Sequence, residues 1–229
     1  MSIWRRFSAM AAAAVTLTAL PAMAQPESGR RIDSTPRAVK GLPGDKDDAG
    51  RIVLNQYSRC YAQKYQTRAI DALEYLYLSP EQDKAVAKLN RSMPDCLGHS
   101  GLTLRFSAPA MVGGMAEELV LENYGSKNLA AVSALTEDAM FASGFKPRNN
   151  GEDFAQCVAR SNSAGAYALL QTDVGSEAET KAVKTLVPVL GSCLVTGQNI
   201  NLNEDTVRSL SAVGLYRILS GLAASNAGK

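Results

Sequence analysis

The sequence has almost no histidine, the side chain that most often acts in acid–base catalysis. It contains one histidine, His99, and a Ser-His-carboxylate triad needs that residue to reach a serine with a carboxylate behind it. The segment Gly98-His99-Ser100-Gly101-Leu102 also departs from the G-x-S-x-G pattern of serine hydrolases, because Leu102 stands in place of the last glycine. We therefore interpret His99 as a surface loop residue, and we assign no catalytic residue.

The four cysteines lack the spacings of metal and redox motifs. None lies within four residues of another, which argues against a four-cysteine zinc site, a C-x-x-C thiol-exchange motif and a C-x-x-C-H haem motif. A glycine-rich phosphate loop is also missing. The sequence thus predicts no metal and no cofactor, and it favours structural disulfides.

Long apolar runs are absent as well. The longest, residues 9–20, is about a dozen residues, whereas a membrane-spanning helix needs roughly 20. This run follows Arg5 and Arg6 and precedes Ala22-Met23-Ala24, which is typical of a signal peptide over residues 1–24, cleaved after Ala24. The arginine pair also suggests twin-arginine export, but Phe7-Ser8-Ala9 fits that signal poorly. We expect Sec export to the periplasm or the medium, and no transmembrane segment.

The sequence has no excess of either charge. Residues 1–24 contain two of the 24 basic residues and none of the 22 acidic ones, so the mature chain has 22 of each. This balance argues against nucleic acid as a partner, because binding to it needs a concentrated positive field. Residues 25–50 are rich in proline, glycine and charge and predict a disordered leader, and residues 225–229 predict a disordered tail.

What the sequence does contain is an internal duplication. Cys60 and Cys96 are 36 residues apart, as are Cys157 and Cys193, and the second pair is displaced by 97 residues. Over residues 57–97, 11 of 41 positions match those 97 residues later, where composition alone gives roughly three. We expect repeat 1 at 51–125, a connecting segment at 126–150 and repeat 2 at 151–224. Four cysteines allow three pairings, and a unit copied whole carries its own bond, which predicts Cys60–Cys96 and Cys157–Cys193.

Each copy shows the pattern of three helices. The first is predicted over 52–77 and 152–171, the second begins at capping boxes opened by Ser79 and Ser176, and the third begins near 109 and 204. Pro188 should bend or shorten the second helix of repeat 2. The segments 102–106 and 199–202 fit either a strand or an extended loop. The predicted fold is all-α, with two tandem three-helix repeats about a pseudo-twofold axis and a minor β pairing of those two segments as an open option.

Two groups of residues are candidates for a site. Tyr57, Tyr61 and Tyr65 recur every four residues, and such a row can stack against a flat ligand. The residues 97 positions later are Phe154, Val158 and Asn162, a partly apolar set that a core face would also show, so core packing is the preferred interpretation. The adjacent pair Glu117-Glu118 is interpreted as solvated, since neighbours on a helix point about 100° apart.

The second copy carries Cys157-Val158-Ala159-Arg160, Leu190-Gly191-Ser192-Cys193-Leu194, Leu202 and Val207-Arg208. In these motifs it resembles small exported proteins of sphingomonad bacteria that have a tandem two-cysteine helical repeat. The resemblance implies export and repetition and gives no activity. The pattern of these proteins usually ends in a small residue followed by Ala-Glu and Leu. Repeat 1 has Ala116-Glu117-Glu118-Leu119, whereas repeat 2 has Ala212-Val213-Gly214-Leu215 and lacks the acidic residue. This difference argues against a role for Glu117.

These observations favour an exported, non-enzymatic binding or structural module of the cell envelope, whose partner is an envelope protein or a small ligand. The alternative is a small-ligand carrier or an enzyme with its site in the cleft between the repeats.

Overall fold

A computed structural model describes residues 46–91, 96, 106–142, 146–194 and 202–227, and every regular element in these ranges is helical. The α-helices in chain order are α1 (Lys46–Lys64), α2 (Gln66–Glu74), α3 (Pro80–Arg91), α4 (Ala108–Leu119), α5 (Leu129–Ala134), α6 (Glu137–Ala142), α7 (Asn150–Ser161), α8 (Ser163–Leu170), α9 (Glu177–Cys193) and α10 (Glu204–Ala227). A π-helical turn, Val120–Tyr124, extends α4. None of the described helices has the length and hydrophobicity of a membrane span.

The predicted signal peptide, His99, and nearly all of the segments 102–106 and 199–202 lie outside the described residues, so the optional β pairing stays a prediction. Two predicted boundaries were wrong. Helix α1 begins at Lys46, inside the predicted leader, and α10 continues to Ala227, inside the predicted tail.

The first helix of each half is broken, where the sequence predicted a continuous one. The break lies at Tyr65 (φ −132°, ψ 48°) in the first half and at Asn162 (φ −151°, ψ 69°) in the second, which are 97 positions apart. The Asn162 side chain accepts a hydrogen bond from the Gly165 amide at 2.8 Å and so caps α8. The apolar spacing continues across both breaks, which is why periodicity did not reveal them.

The capping boxes predicted for the second helices are confirmed. Ser79 Oγ accepts a hydrogen bond from the Gln82 amide at 3.1 Å, and Ser176 Oγ accepts one from the Glu179 amide at 3.1 Å. The return bond of each box goes to the residue before the cap: the Gln82 side chain accepts from the amide of residue 78, and the Glu179 side chain accepts from that of residue 175. Pro188 lies inside α9 at an exposed position, and the helix continues past it to Cys193.

The residue before each capping serine has a left-handed backbone. Gly175 has φ 77°, and Leu78, which stands 97 positions earlier, has φ 65°. Glycine adopts this conformation without strain, whereas leucine pays roughly 1–2 kcal/mol for it. The same left-handed backbone conformation therefore occurs at both positions, but it strains Leu78 and does not strain Gly175.

Helices α4 and α10 pack against each other at the centre, α1 packs on α4, and α7 packs on α10. Two glycines permit the outer contacts: a Cβ on Gly114 would lie 2.6 Å from the Ser58 Cβ, and a Cβ on Gly214 would overlap the carbonyl oxygen of Ala155. The largest fully buried side chains include Tyr57, Tyr61, Phe154, Leu73, Met111, Met115, Leu170, Leu186, Leu215 and Ile218. These residues come from both halves and form one hydrophobic core.

Each half contains one disulfide bond. Cys60 is bonded to Cys96, with the two Cα atoms 5.8 Å apart, and Cys157 is bonded to Cys193 with a Cα separation of 5.7 Å. The pairing expected from the duplication is thus confirmed. Helices α1 to α4 and α7 to α10 follow the same order along the chain, while a pseudo-twofold relation between the halves stays a prediction.

Candidate functional site

The tyrosine row lies mainly in the core. Tyr57 and Tyr61 are 1% and 0% exposed, and Tyr65, at the helix break, is partly buried. The Tyr57 ring lies 6.1 Å from that of Phe106, and the Tyr61 ring lies 5.3 Å from that of Tyr65, between centroids. Burial raises the pKa of the Tyr57 and Tyr61 hydroxyls above their ordinary value. This placement agrees with the core-packing interpretation, and it leaves Tyr65 as the member closest to the surface.

The junction between the halves is occupied by a buried ion-pair cluster. Arg208 of α10 donates from Nε to Glu117 Oε2 at 2.7 Å and from Nη2 to Glu117 Oε1 at 2.9 Å. It also donates from Nη1 to Glu179 Oε1 at 3.1 Å, which joins α4, α9 and α10. The three side chains are between 1% and 6% exposed. Burial alone would lower the pKa of Arg208, but the two carboxylates outweigh it and raise that pKa.

Arg51 extends this cluster to α1. Its guanidinium lies 2.9 Å from Glu179 Oε2 and 2.5 Å from Asp205 Oδ1, and it also contacts Asp48 and Glu204 at 2.9 and 3.2 Å. Burial alone would lower the pKa of Arg51, yet the hydrogen bond with Asp205 and the negative charges around it raise that pKa. One arginine therefore holds the N-terminal ends of α9 and α10 against α1.

The interpretation of Glu117 and Glu118 as solvated charges was wrong. Both are 1% exposed, and Glu118 accepts hydrogen bonds from Arg59 at 2.6 Å and from Gln63 at 2.5 Å. They come from an otherwise apolar helix, which could have signalled that they are buried and paired. The second half of the chain lacks this acid, but it supplies Arg208, the arginine that Glu117 binds.

A small cavity remains beside this cluster. Its volume is about 30 Å³, and it is lined by Arg51, Leu54, Asn55, Ala110, Gly113, Gly114, Glu117, Val174, Asp205, Arg208 and Ser209. A volume of this size holds about two water molecules. Ion pairs thus occupy the part of the junction between the halves that borders this cavity.

Another buried carboxylate, Glu152 of α7, ties the two halves together elsewhere. It accepts hydrogen bonds from the Arg148 side chain at 2.6 Å and from the Tyr77 amide at 3.3 Å, and Arg217 lies 3.3 Å away. Burial alone would raise the pKa of Glu152, but its bonds to Arg148 and the charge of Arg217 lower it. Burial lowers the pKa of Arg217, an effect that Glu152 opposes. The sequence analysis did not identify any of these three charged residues.

A large cavity in the described part of the chain is a groove on the surface between α2 and α3, with a volume of about 340 Å³. It is lined by Arg68, Asp71, Ala72 and Tyr75 from α2 and its end, and by Glu81, Lys84, Ala85, Lys88 and Leu89 from α3. Both sets follow helical spacing, so one face of each helix borders the groove. The floor is apolar and the rim carries charges of both signs. We call this feature the α2–α3 groove.

The basic residues of the α2–α3 groove are not used by the fold as ion-pair partners. In the described ranges, Arg68, Lys84 and Lys88 form no ion pair with a carboxylate. Arg68 lies over the Tyr65 ring, with its guanidinium carbon 5.8 Å from the centroid. The groove thus offers exposed positive charge beside an apolar floor. In the junction between the halves, by contrast, Arg51 and Arg208 are paired with buried carboxylates.

No group of three or more histidine, cysteine, aspartate or glutamate side chains in the described residues is arranged to hold a metal ion. The comparisons with known proteins also give no assignment: no protein-family model, no curated protein and no solved structure matches this chain. Any function must therefore be argued from the two cavities and from the charges around them.

Proposed function

We propose that this chain is an exported, non-enzymatic binding module of the cell envelope, with the α2–α3 groove as its binding surface. One contrast carries the proposal. The junction between the halves is closed by Arg208 and Arg51, whereas the groove is open and has basic side chains outside the ion pairs of the fold.

The state of the buried carboxylates supports a structural use for them. Glu117 and Glu179 each accept bonds from guanidinium groups, and arginine stays protonated at any physiological pH. The oxygens of these carboxylates are engaged by guanidinium donors in the protein interior, so they are poorly placed to reach a proton of a substrate. The neighbouring cavity of about 30 Å³ also has no room for an organic substrate. The cleft alternative therefore has less support than the groove.

Export is supported by the disulfide bonds and by the N-terminal sequence. Disulfides form and persist in oxidising compartments such as the periplasm, and both bonds have the Cα separations of ordinary disulfides. The sequence pattern of residues 1–24 predicts the signal that would take the chain there.

The duplication is part of the proposal. It is supported by backbone features that recur 97 residues apart, namely the helix breaks at Tyr65 and Asn162 and the left-handed residues Leu78 and Gly175. In this view the repeated elements serve the fold, and the features present in one half alone are candidates for binding.

The test is to express the full chain in a Gram-negative host, recover it by osmotic shock and measure its mass under native and denaturing conditions. We expect a chain that starts at Gln25, gains one hydrogen per cysteine on reduction, and carries a non-protein adduct in the native spectrum. Recovery only from the cytoplasm with free thiols would contradict export. Reproducible absence of any adduct or partner, with the chain folded, would contradict the binding role.

A further inference from the structure

We infer that the α2–α3 groove binds a small amphiphilic organic anion, a carboxylate or phosphate group attached to a short apolar chain. This inference rests on the proposed binding role and adds the ligand class. The shared chemistry of the ligand is one negative head group next to an apolar segment, whether the source is a free fatty acid or the phosphate end of a lipid fragment.

The dimensions of the groove suit such a molecule. Its volume of about 340 Å³ lies at the lower end of small-molecule sites. Arg68 and Tyr75 on one side, and Glu81 and Lys88 on the other, are each seven positions apart, which corresponds to about 10 Å along a helix. Ala72 and Ala85 keep the floor between them free of large side chains.

The charges indicate the sign of the head group. Tyr75 and Glu81 flank the short connection between α2 and α3, so they mark one end of the groove. Arg68 stands near the start of α2 and Lys88 near the end of α3, which places two positive charges at the opposite end, with Lys84 one helical turn closer to the connection. Charge-assisted hydrogen bonds from these groups would hold an anion, and the alanine floor would receive the apolar chain.

The other half of the protein shows that the fold does not need these residues. The positions 97 residues after Arg68, Asp71, Ala72, Tyr75, Glu81 and Lys88 carry Gly165, Ala168, Leu169, Thr172, Ala178 and Thr185. Four of the five charged side chains are lost and the floor residue Ala72 becomes a leucine, while Lys84, Ala85 and Leu89 keep their counterparts, Lys181, Ala182 and Leu186. The corresponding helices, α8 and α9, still form and still carry the capping box. Most of the charged side chains that line the groove are thus found in the first half alone, where the groove is described.

The test uses the mature disulfide-bonded chain, labelled with ¹⁵N and titrated with four probes of equal chain length: octanoate, octyl phosphate, octanol and octylammonium. We expect octanoate or octyl phosphate to shift the amide signals of α2 and α3, and to bind at least about fivefold more tightly than the neutral and cationic probes. Tighter binding of octanoate would favour a free fatty acid as the ligand, and tighter binding of octyl phosphate would favour the phosphate end of a lipid fragment. Equal or tighter binding of octanol or octylammonium, or no binding of either anion, would overturn the inference.

Variants locate the site. Lys84→Gln and Lys88→Gln should each weaken binding of the anion by about two- to fivefold, and Ala85→Leu should abolish it by filling the groove. Ala182→Leu is the matched control, because Ala182 has the same helical position in the other half and is also partly buried. Circular dichroism checks that every variant is folded.

Two outcomes separate the proposals. If the periplasmic adduct and probe binding survive in Ala85→Leu, the groove assignment fails while the binding role stands. If adduct and probe binding are both absent from the parent chain, both proposals fail.

Discussion

Arg208 of α10 and Glu117 of α4 form a two-point ion pair, with Nε 2.7 Å from Oε2 and Nη2 2.9 Å from Oε1, although they are 91 residues apart in the chain. Their side chains are 6% and 1% exposed. A buried pair of this kind contributes little net stability compared with apolar residues of similar volume, but removal of one partner leaves an uncompensated buried charge.

Replacement of Arg208 by methionine should therefore lower the free energy of unfolding by about 3–5 kcal/mol. Urea denaturation followed by circular dichroism measures it. Lys181→Met is the control, since Lys181 pairs with Glu177 at the surface with both side chains at least 70% exposed, and such a pair contributes about 0–1 kcal/mol. Equal losses in the two variants would contradict the assignment of Arg208 as a buried partner.

The two disulfides close loops of equal length, because the cysteines of each bond have a sequence separation of 36. In the chain-entropy model each should stabilise the protein by about 4 kcal/mol. We expect the double variant Cys60→Ala, Cys96→Ala and the double variant Cys157→Ala, Cys193→Ala to lose similar free energies of unfolding in urea. A large difference between them would show that native-state interactions, rather than loop length, set the contribution of each bond.

Acid should unfold the protein partly through Glu152. Its folded-state pKa lies below the ordinary value, chiefly because hydrogen bonds from Arg148 outweigh burial, so its stabilisation is complete above pH about 4.3 and is lost as the pH falls through the folded-state pKa. We expect Glu152→Gln to be less stable at pH 7 and to lose less stability between pH 5 and pH 3 than the parent. Glu177→Gln, at a position 81% exposed in its ion pair, should leave the acid limb of the urea-unfolding profile unchanged.

The contact of α7 with α10 should not tolerate a methyl group at residue 214. Gly214→Ala places a Cβ against the carbonyl oxygen of Ala155, and a backbone atom cannot move aside as a side chain can. We expect a loss of about 3 kcal/mol in the free energy of unfolding, at the upper end of overpacking costs. Gly191→Ala, in α9 with nothing within 4 Å of its added Cβ, should instead raise stability by up to about 1 kcal/mol. Thermal unfolding of the two variants side by side measures the contrast.

Replacement of Leu78 by glycine should stabilise the protein. It has φ 65° and is 51% exposed, so Leu78→Gly removes backbone strain and gives up little burial. We expect a gain of about 1 kcal/mol in the free energy of unfolding. In Gly175→Ala the same strain is introduced at φ 77°, and stability should fall by a similar amount. A loss of stability in Leu78→Gly would mean that contacts of the leucine outweigh the strain.

Features that depend on residues close together in the sequence, or on a comparison of the two halves, could be predicted. The capping boxes at Ser79 and Ser176 depend on residues three positions apart, and the disulfide pairing followed from comparing one half with the other. The helix break at Tyr65 was missed, because it leaves the apolar spacing intact. The burial of Glu117 was missed for a different reason: its partner Arg208 is 91 residues away, and only the packing of α4 on α10 brings them together. The α2–α3 groove likewise depends on how two helices are placed, which their separate patterns do not contain.

The distance along the chain between Glu117 and Arg208 has a consequence for biosynthesis. A ribosome adds roughly 5–20 residues per second, so the 91 residues that separate the two take about 5–20 s to make. Throughout that interval Glu117 has Arg59, which lies 3.7 Å from it in the folded protein, but lacks the two-point guanidinium partner on α10. Both cysteines of the first disulfide are made before that interval, and we expect the bond to form after export. The native interior is complete only once the last helix is present.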